Sequence, residues 1–82
     1  MKVYVLIKDV TYNGNQFIDA RVYSTKEAAL KEMAEIRYIW EEEVYKTKPE
    51  NFDRYSSSEF YWMMNHKEKK YFKLTLQERE VL

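Results

Sequence analysis

Residues 12–29 read Tyr12-Asn13-Gly14-Asn15-Gln16-Phe17-Ile18-Asp19-Ala20-Arg21-Val22-Tyr23-Ser24-Thr25-Lys26-Glu27-Ala28-Ala29, and three structural signals follow one another along them. Asn13-Gly14 is the dipeptide that a two-residue type I′ hairpin turn selects, because both central residues need positive φ. Residues 17–23 alternate, with Ile18, Ala20 and Val22 on one side and Phe17, Asp19, Arg21 and Tyr23 on the other, as a strand requires. Ser24-Thr25-Lys26-Glu27 has the spacing of a capping box, in which the amide of Glu27 donates to the Ser24 hydroxyl while the Glu27 carboxylate reaches back. The stretch predicts a turn, a strand and a helix start in that order.

Upstream, residues 2–8 alternate as well, Val3, Val5 and Ile7 against Tyr4, Leu6 and Lys8. With Asn13-Gly14 at the tip, Tyr12 faces Asn15, Ile7 meets Ala20 and Val5 meets Val22 on one face. Lys8 meets Asp19, Leu6 meets Arg21 and Tyr4 meets Tyr23 on the other. A slip of one residue would break both sets of pairs. A longer loop through Asp9–Gln16 is the alternative. Downstream, no Gly or Pro interrupts the chain from Thr25 to about Lys46. Ala29, Met33, Ile36, Trp40 and Val44 recur at helical spacing and mark a core stripe. Leu30, Ala34, Tyr38 and Tyr45 form a second, partly apolar stripe. Glu27–Lys31, Lys31–Glu35 and Glu42–Lys46 are i,i+4 pairs, and Pro49 stops the helix or opens a short helical turn of its own.

Residues 47–58 read as a polar loop tacked down by Phe52 and Tyr55. Residues 59–65 (Glu-Phe-Tyr-Trp-Met-Met-Asn) read as a strand from their aromatic content, although Ser56-Ser57-Ser58-Glu59 also has the form of a capping box that would open a second helix. Residues 71–79 alternate clearly, with Phe72, Leu74 and Leu76 inward and Tyr71, Lys73, Thr75 and Gln77 outward. A turn through His66–Lys70 would pair the last two strands. The expectation is a single domain over residues 1–82 of the α+β class: a ββαββ arrangement, two β-hairpins joined by one long amphipathic helix on one face of a four-stranded sheet. Its core would be Val3, Val5, Ile7, Ile18, Ala20, Val22, Phe60, Trp62, Phe72, Leu74 and Leu76 of the sheet with the helix stripe.

Composition narrows the function classes. Fourteen basic and fourteen acidic side chains leave no formal net charge, which disfavours a binder driven by phosphate electrostatics. There is no cysteine, hence no disulfide and no thiolate for zinc. The opening apolar run is too short for a signal-peptide core or a membrane span, which predicts a cytoplasmic protein without a membrane anchor. Gly14 is the lone glycine, so no glycine-rich phosphate loop exists. His66 stands in a polar turn with no carboxylate or thiol placed in sequence to orient it. Glu41-Glu42-Glu43 point about 100° apart on a helix and do not converge on a metal. The expectation is a non-enzymatic chain with no cofactor, no metal and no catalytic residues.

Eight Tyr, four Phe and two Trp exceed what one helix and four strands can easily bury, and Tyr and Trp favour interfaces. With the helix on one face of the sheet, the other would carry Tyr4, Leu6, Lys8, Arg21, Tyr23, Tyr61, Met63, Tyr71 and Lys73, an aromatic surface with basic residues among the rings. Three uses stay open for it: homodimerisation, binding of another protein, and stacking of single-stranded nucleic-acid bases with Lys and Arg near phosphates.

The strand that opens at Met1-Lys2-Val3-Tyr4-Val5-Leu6-Ile7, the hairpin after it, and Val22-Tyr23-Ser24-Thr25-Lys26-Glu27-Ala28-Ala29 leading into a long helix resemble short bacteriophage, prophage and mobile-element proteins. The resemblance covers residues 1–45. It implies a strand-to-helix joint with a final hairpin behind it, and a small accessory or inhibitor protein that acts by binding a host protein. It transfers no catalytic residues.

Overall fold

In a computed structural model, which describes residues 1–46 and 49–81 and only the backbone of Tyr45 and Pro49, the chain runs β1 (Lys2–Tyr12), β2 (Asn15–Tyr23), α1 (Lys26–Lys46), a 3-10 turn (Pro49–Asn51), β3 (Phe52–Ser56), β4 (Phe60–Asn65) and β5 (Lys70–Glu80). The strands form one antiparallel sheet in the order β2-β1-β5-β4-β3. The helix lies on one side of it, and the Cα envelope is 15 Å along its shortest axis, room for one helix layer on one sheet layer.

The first hairpin has the expected register. Tyr12 pairs with Asn15, Lys8 with Asp19, Ile7 with Ala20 and Val5 with Val22, and Asn13 and Gly14 both take positive φ, 53° and 79°, as a type I′ turn demands. The helix cap sits one residue later than the capping box implies. Thr25 Oγ1, not Ser24, accepts from a first-turn amide, that of Ala28 at 3.2 Å, and the helix starts at Lys26. Ser and Thr are both suited to this position, so two adjacent hydroxyls leave the boundary open by one. The core stripe is as expected: Ala29, Met33, Trp40 and Val44 are buried and Ile36 packs against them. Of the outer stripe, Tyr38 is exposed and Leu30 packs against the core; the Tyr45 side chain lies outside the described residues. Glu42 and Lys46 form their i,i+4 ion pair at 3.9 Å.

Two expectations are corrected. The sheet has five strands, not four, and the order of elements is ββαβββ. Phe52–Ser56, expected within a loop, is an edge strand paired with β4, Tyr55 opposite Trp62 and Ser56 opposite Tyr61. Five residues with two charges carry little strand signal alone; a partner outside the segment defines this one. Ser56-Ser57-Ser58-Glu59 caps no helix: Ser57–Glu59 bridge β3 to β4, with the Ser57 amide donating to the Phe60 carbonyl at 2.8 Å.

The second correction concerns which face of the sheet meets the helix. Leu6, Tyr61, Met63, Phe72, Leu74 and Leu76 form the core with the helix stripe. Val3, Val5, Ile7, Ile18, Ala20, Val22, Phe60 and Trp62, expected inside, alternate with these and project from the other side. Ile18 and Val22 are 62% and 65% exposed. The reason lies in β5. Its alternation is one-sided, apolar Phe72, Leu74 and Leu76 against polar Lys73, Thr75 and Gln77. Strand β1 is apolar on both sides and follows its neighbour. The register sets Leu6 beside Leu76 and Ile7 beside Thr75, so Ile7 goes with the solvent face.

Candidate interaction surface

The helix layer leaves the second face of the sheet uncovered. On the β2–β1 side this face is aliphatic: Val3, Val5, Ile7, Ile18, Ala20 and Val22. On the β5–β4–β3 side it is aromatic: Tyr71, Phe60, Trp62 and Tyr55, with Met64. Trp62 meets Tyr71 edge-on at 5.7 Å between ring centres, and Tyr55 lies 6.0 Å from Phe60. Ring edges against ring faces are the preferred aromatic geometry. Tyr55 is 60% exposed.

Charge on this face is sparse and balanced. Asp9 and Lys73 are direct cross-strand partners at its centre. The Gln16 amide donates to both Asp9 carboxylate oxygens at 3.2 and 3.1 Å, which orients the carboxylate. Arg79 donates to Gln77 at 2.7 Å near one end. At the opposite rim His66 pairs with Asp53. Sequence spacing does not reveal this carboxylate partner, because residues 52–56 read as loop until β4 pairs with them. Both side chains are about half exposed, where water screens the attraction.

The nine residues expected on the aromatic face divide. Tyr71 and Lys73 are on the open face. The other seven lie on the helix side: Leu6, Tyr61 and Met63 are buried, and Tyr4 and Tyr23 pack against the core. Lys8 stands opposite Asp19, and Arg21 reaches Asp19 at 3.3 Å and the helix residue Glu32 at 3.6 Å. The correction has the same cause as the inverted core, since the face chosen for β1 determines the face for β2.

Beneath the helix a polar cluster ties sheet to helix. The Tyr61 hydroxyl donates to Glu41 at 2.7 Å, Arg54 pairs with the same carboxylate, and the Arg37 guanidinium lies 5.1 Å from the centre of the Tyr61 ring. Burial, then the bond to Glu41, pushes the Tyr61 hydroxyl well above the usual phenol range, so it stays a donor. Lys70 bonds Glu43 at 3.1 Å and Glu68 at 3.2 Å, and these bonds raise its ammonium above the usual lysine value. Tyr4, Lys26, Glu59, Leu76 and Glu78 border a cleft of about 120 Å³, below the usual small-ligand size of about 300 Å³ or more. Among the described residues, no three carboxylates or imidazoles are grouped to hold a metal, and no helix is long and apolar enough to cross a membrane.

No family model, curated protein or solved structure matches the chain.

Proposed function

We propose that this chain is a non-enzymatic protein-interaction module whose working surface is the open sheet face. The observation that supports the reading is a sheet with apolar side chains on both faces and a helix layer on only one. Contiguous apolar patches beyond a few hundred Å² are uncommon on monomers and mark interaction sites. The open face adds Trp and Tyr, the side chains that anchor protein interfaces, around a centre with one acid and one base. The resemblance to mobile-element proteins adds a class of partner, a bacterial host protein, by analogy of architecture.

Capture from bacterial lysate tests this reading with two variants. Ile18→Glu places a charge on the open face at an exposed edge position, and Ile39→Glu places one on the outer side of the helix, where Ile39 is 64% exposed. Proteins retained by the wild type are expected to be lost with Ile18→Glu and kept with Ile39→Glu. Capture indifferent to Ile18→Glu refutes the open face as the working surface.

A second reading, single-strand nucleic-acid binding, draws on the Trp62–Tyr71 pair beside Lys73, a combination that stacks bases and meets a phosphate. Asp9 and Asp53 on the same face weigh against it. Oligonucleotide affinity that rises as salt is lowered would favour it; no binding at low salt removes it.

A further inference from the structure

We infer that the occupant of the open face is a second copy of this chain, stacked sheet on sheet about a two-fold axis that runs nearly along the strands between β1 and β5. The inference rests on the reading of the open face as an interaction surface and puts a second copy of the chain there in place of a host protein.

The charges at the centre of the face constrain any occupant. A dry sheet-on-sheet interface would bury Asp9 and Lys73, and buried charges must be paired. Because Asp9 and Lys73 are cross-strand partners on β1 and β5, a two-fold axis between those strands lays Asp9 of each copy over Lys73 of the other. An isologous contact of this kind makes every pair twice, so the acid and the base at the centre of the face give two reciprocal ion pairs and leave neither central charge unpaired. Arg79 and the Asp53–His66 pair stay at its ends and rim.

The same axis brings the two halves of the face together. It sets β2 of one copy over β4 of the other, and the aliphatic half over the aromatic half. Ala20 shares its row with Ile7, Thr75 and Phe60, and Ile18 shares its row with Asp9, Lys73 and Trp62. Across the axis the small Ala20 therefore meets the Phe60 ring, and Ile18 meets the Trp62 indole. Small residues against large ones are what interdigitating layers need at the spacing of about 10 Å between stacked sheets. Strand β3 overhangs the partner sheet, which leaves Tyr55 and the Asp53–His66 pair at the rim.

The area is adequate. Four strands spaced about 4.8 Å apart and about nine residues long cover a plane of roughly 19 by 30 Å. Side chains corrugate that plane, which brings its accessible surface near the roughly 800 Å² per partner of a standard stable interface. The zero formal net charge of the chain adds no long-range repulsion between copies.

The test is sedimentation equilibrium on Asp9→Lys and Lys73→Asp, singly and mixed, with circular dichroism to verify that each is folded. The wild type is expected to be dimeric at about 100 μM. Each single reversal places like charges across the axis and is expected to weaken the dimer about tenfold or more. In an equimolar mixture, the introduced lysine of one variant faces the introduced aspartate of the other. The Lys73 that the first variant retains faces the Asp9 that the second retains. A one-to-one heterodimer is therefore expected to form with near wild-type affinity. Pairing within one chain cannot produce that rescue. Ile18→Glu, folded and monomeric, is the second expected loss. A monomeric wild type, or reversals that dimerise like the wild type, overturns the inference. A monomer whose capture of lysate protein still depends on Ile18 overturns the second copy alone and leaves the open face as the binding surface. A monomer with capture indifferent to Ile18 overturns both.

Discussion

The two tryptophans provide a direct measure of which side of the sheet is the core. Trp40 is 8% exposed, with its ring centre 4.9 Å from Phe72 and 6.0 Å from Tyr61. A buried Trp withdraws about 200 Å² from water, which at about 25 cal/mol per Å² amounts to about 5 kcal/mol. Trp40→Ala keeps the Cβ and leaves a cavity under the helix, so its cost is expected at about 3–5 kcal/mol. A domain of 82 residues has a total stability of about 4–12 kcal/mol, so the substitution removes a large share of it and, at the low end of that range, brings the variant to its unfolding midpoint without denaturant. Trp62 is half-buried on the open face, touches Tyr71 edge-on, and leaves no enclosed cavity when truncated. Trp62→Ala is expected to cost about 1 kcal/mol, much of it the lower strand propensity of Ala. Urea titration followed by far-ultraviolet circular dichroism, at concentrations dilute enough to keep the chain monomeric, reads both values. Equal losses from the two substitutions, or a larger loss from Trp62→Ala, would refute the assignment of the helix-covered face as the core.

The β4–β5 turn depends on Asn65, whose buried side-chain oxygen accepts from the amides of Lys67 at 3.0 Å and Glu68 at 3.1 Å. Asn65→Ala is expected to lower the melting temperature by about 4–8 °C for each kcal/mol lost, with a loss of about 1–2 kcal/mol, and Asn65→Asp, which keeps the acceptor, to lose less. A thermal scan of the two variants checks the order. Alkaline stability should report Tyr61. Below the ordinary phenol value near 10 both folded and unfolded chains hold the proton; above it the unfolded chain releases it first, because burial raises the folded value, so stability falls as pH rises. Tyr61→Phe is expected to cost about 1 kcal/mol at neutral pH and to flatten the fall above pH about 10. Lys70, also raised, retains its share of that fall in both proteins, and urea midpoints measured across the alkaline range separate the two.

Local chemistry carried most of the fold that was legible in advance. The first hairpin is specified by two residues whose backbone needs leave few alternatives, and its register follows from them. The helix is specified by an unbroken stripe from Ala29 to Val44, and its start is open by one residue because Ser24 and Thr25 are both competent caps. The last strand is specified by one-sided alternation. The features that escaped are those decided by contacts distant in sequence. Strand β3 exists because β4 offers it an edge, and Asp53 meets His66 only through that pairing. The side of the sheet that faces the helix was illegible from β1, where Val5 and Leu6 are equally good core residues. The pairing of β1 with β5, in which Ile7 falls beside Thr75 and Leu6 beside Leu76, resolves it. The candidate surface inherited that ambiguity: an excess of aromatic side chains was readable from composition, whereas the face that displays them was not.

The adjacency of the first and last strands sets a kinetic consequence. Lys2 pairs with Glu80 and Tyr12 with Lys70, so the central strand β5 is joined to β1, the strand most distant from it in sequence. Without β5, β1 with β2 and β3 with β4 are separate two-stranded ribbons, each marginal in water. The core rows that Phe72, Leu74 and Leu76 of β5 complete are then open. On a ribosome, the hairpin and helix emerge first and wait with apolar sides open until β5 inserts between β1 and β4. Such high contact order places folding in the millisecond-to-second range, roughly, not the microsecond range of helical domains. During that interval the half-built sheet is exposed to pairing with other chains.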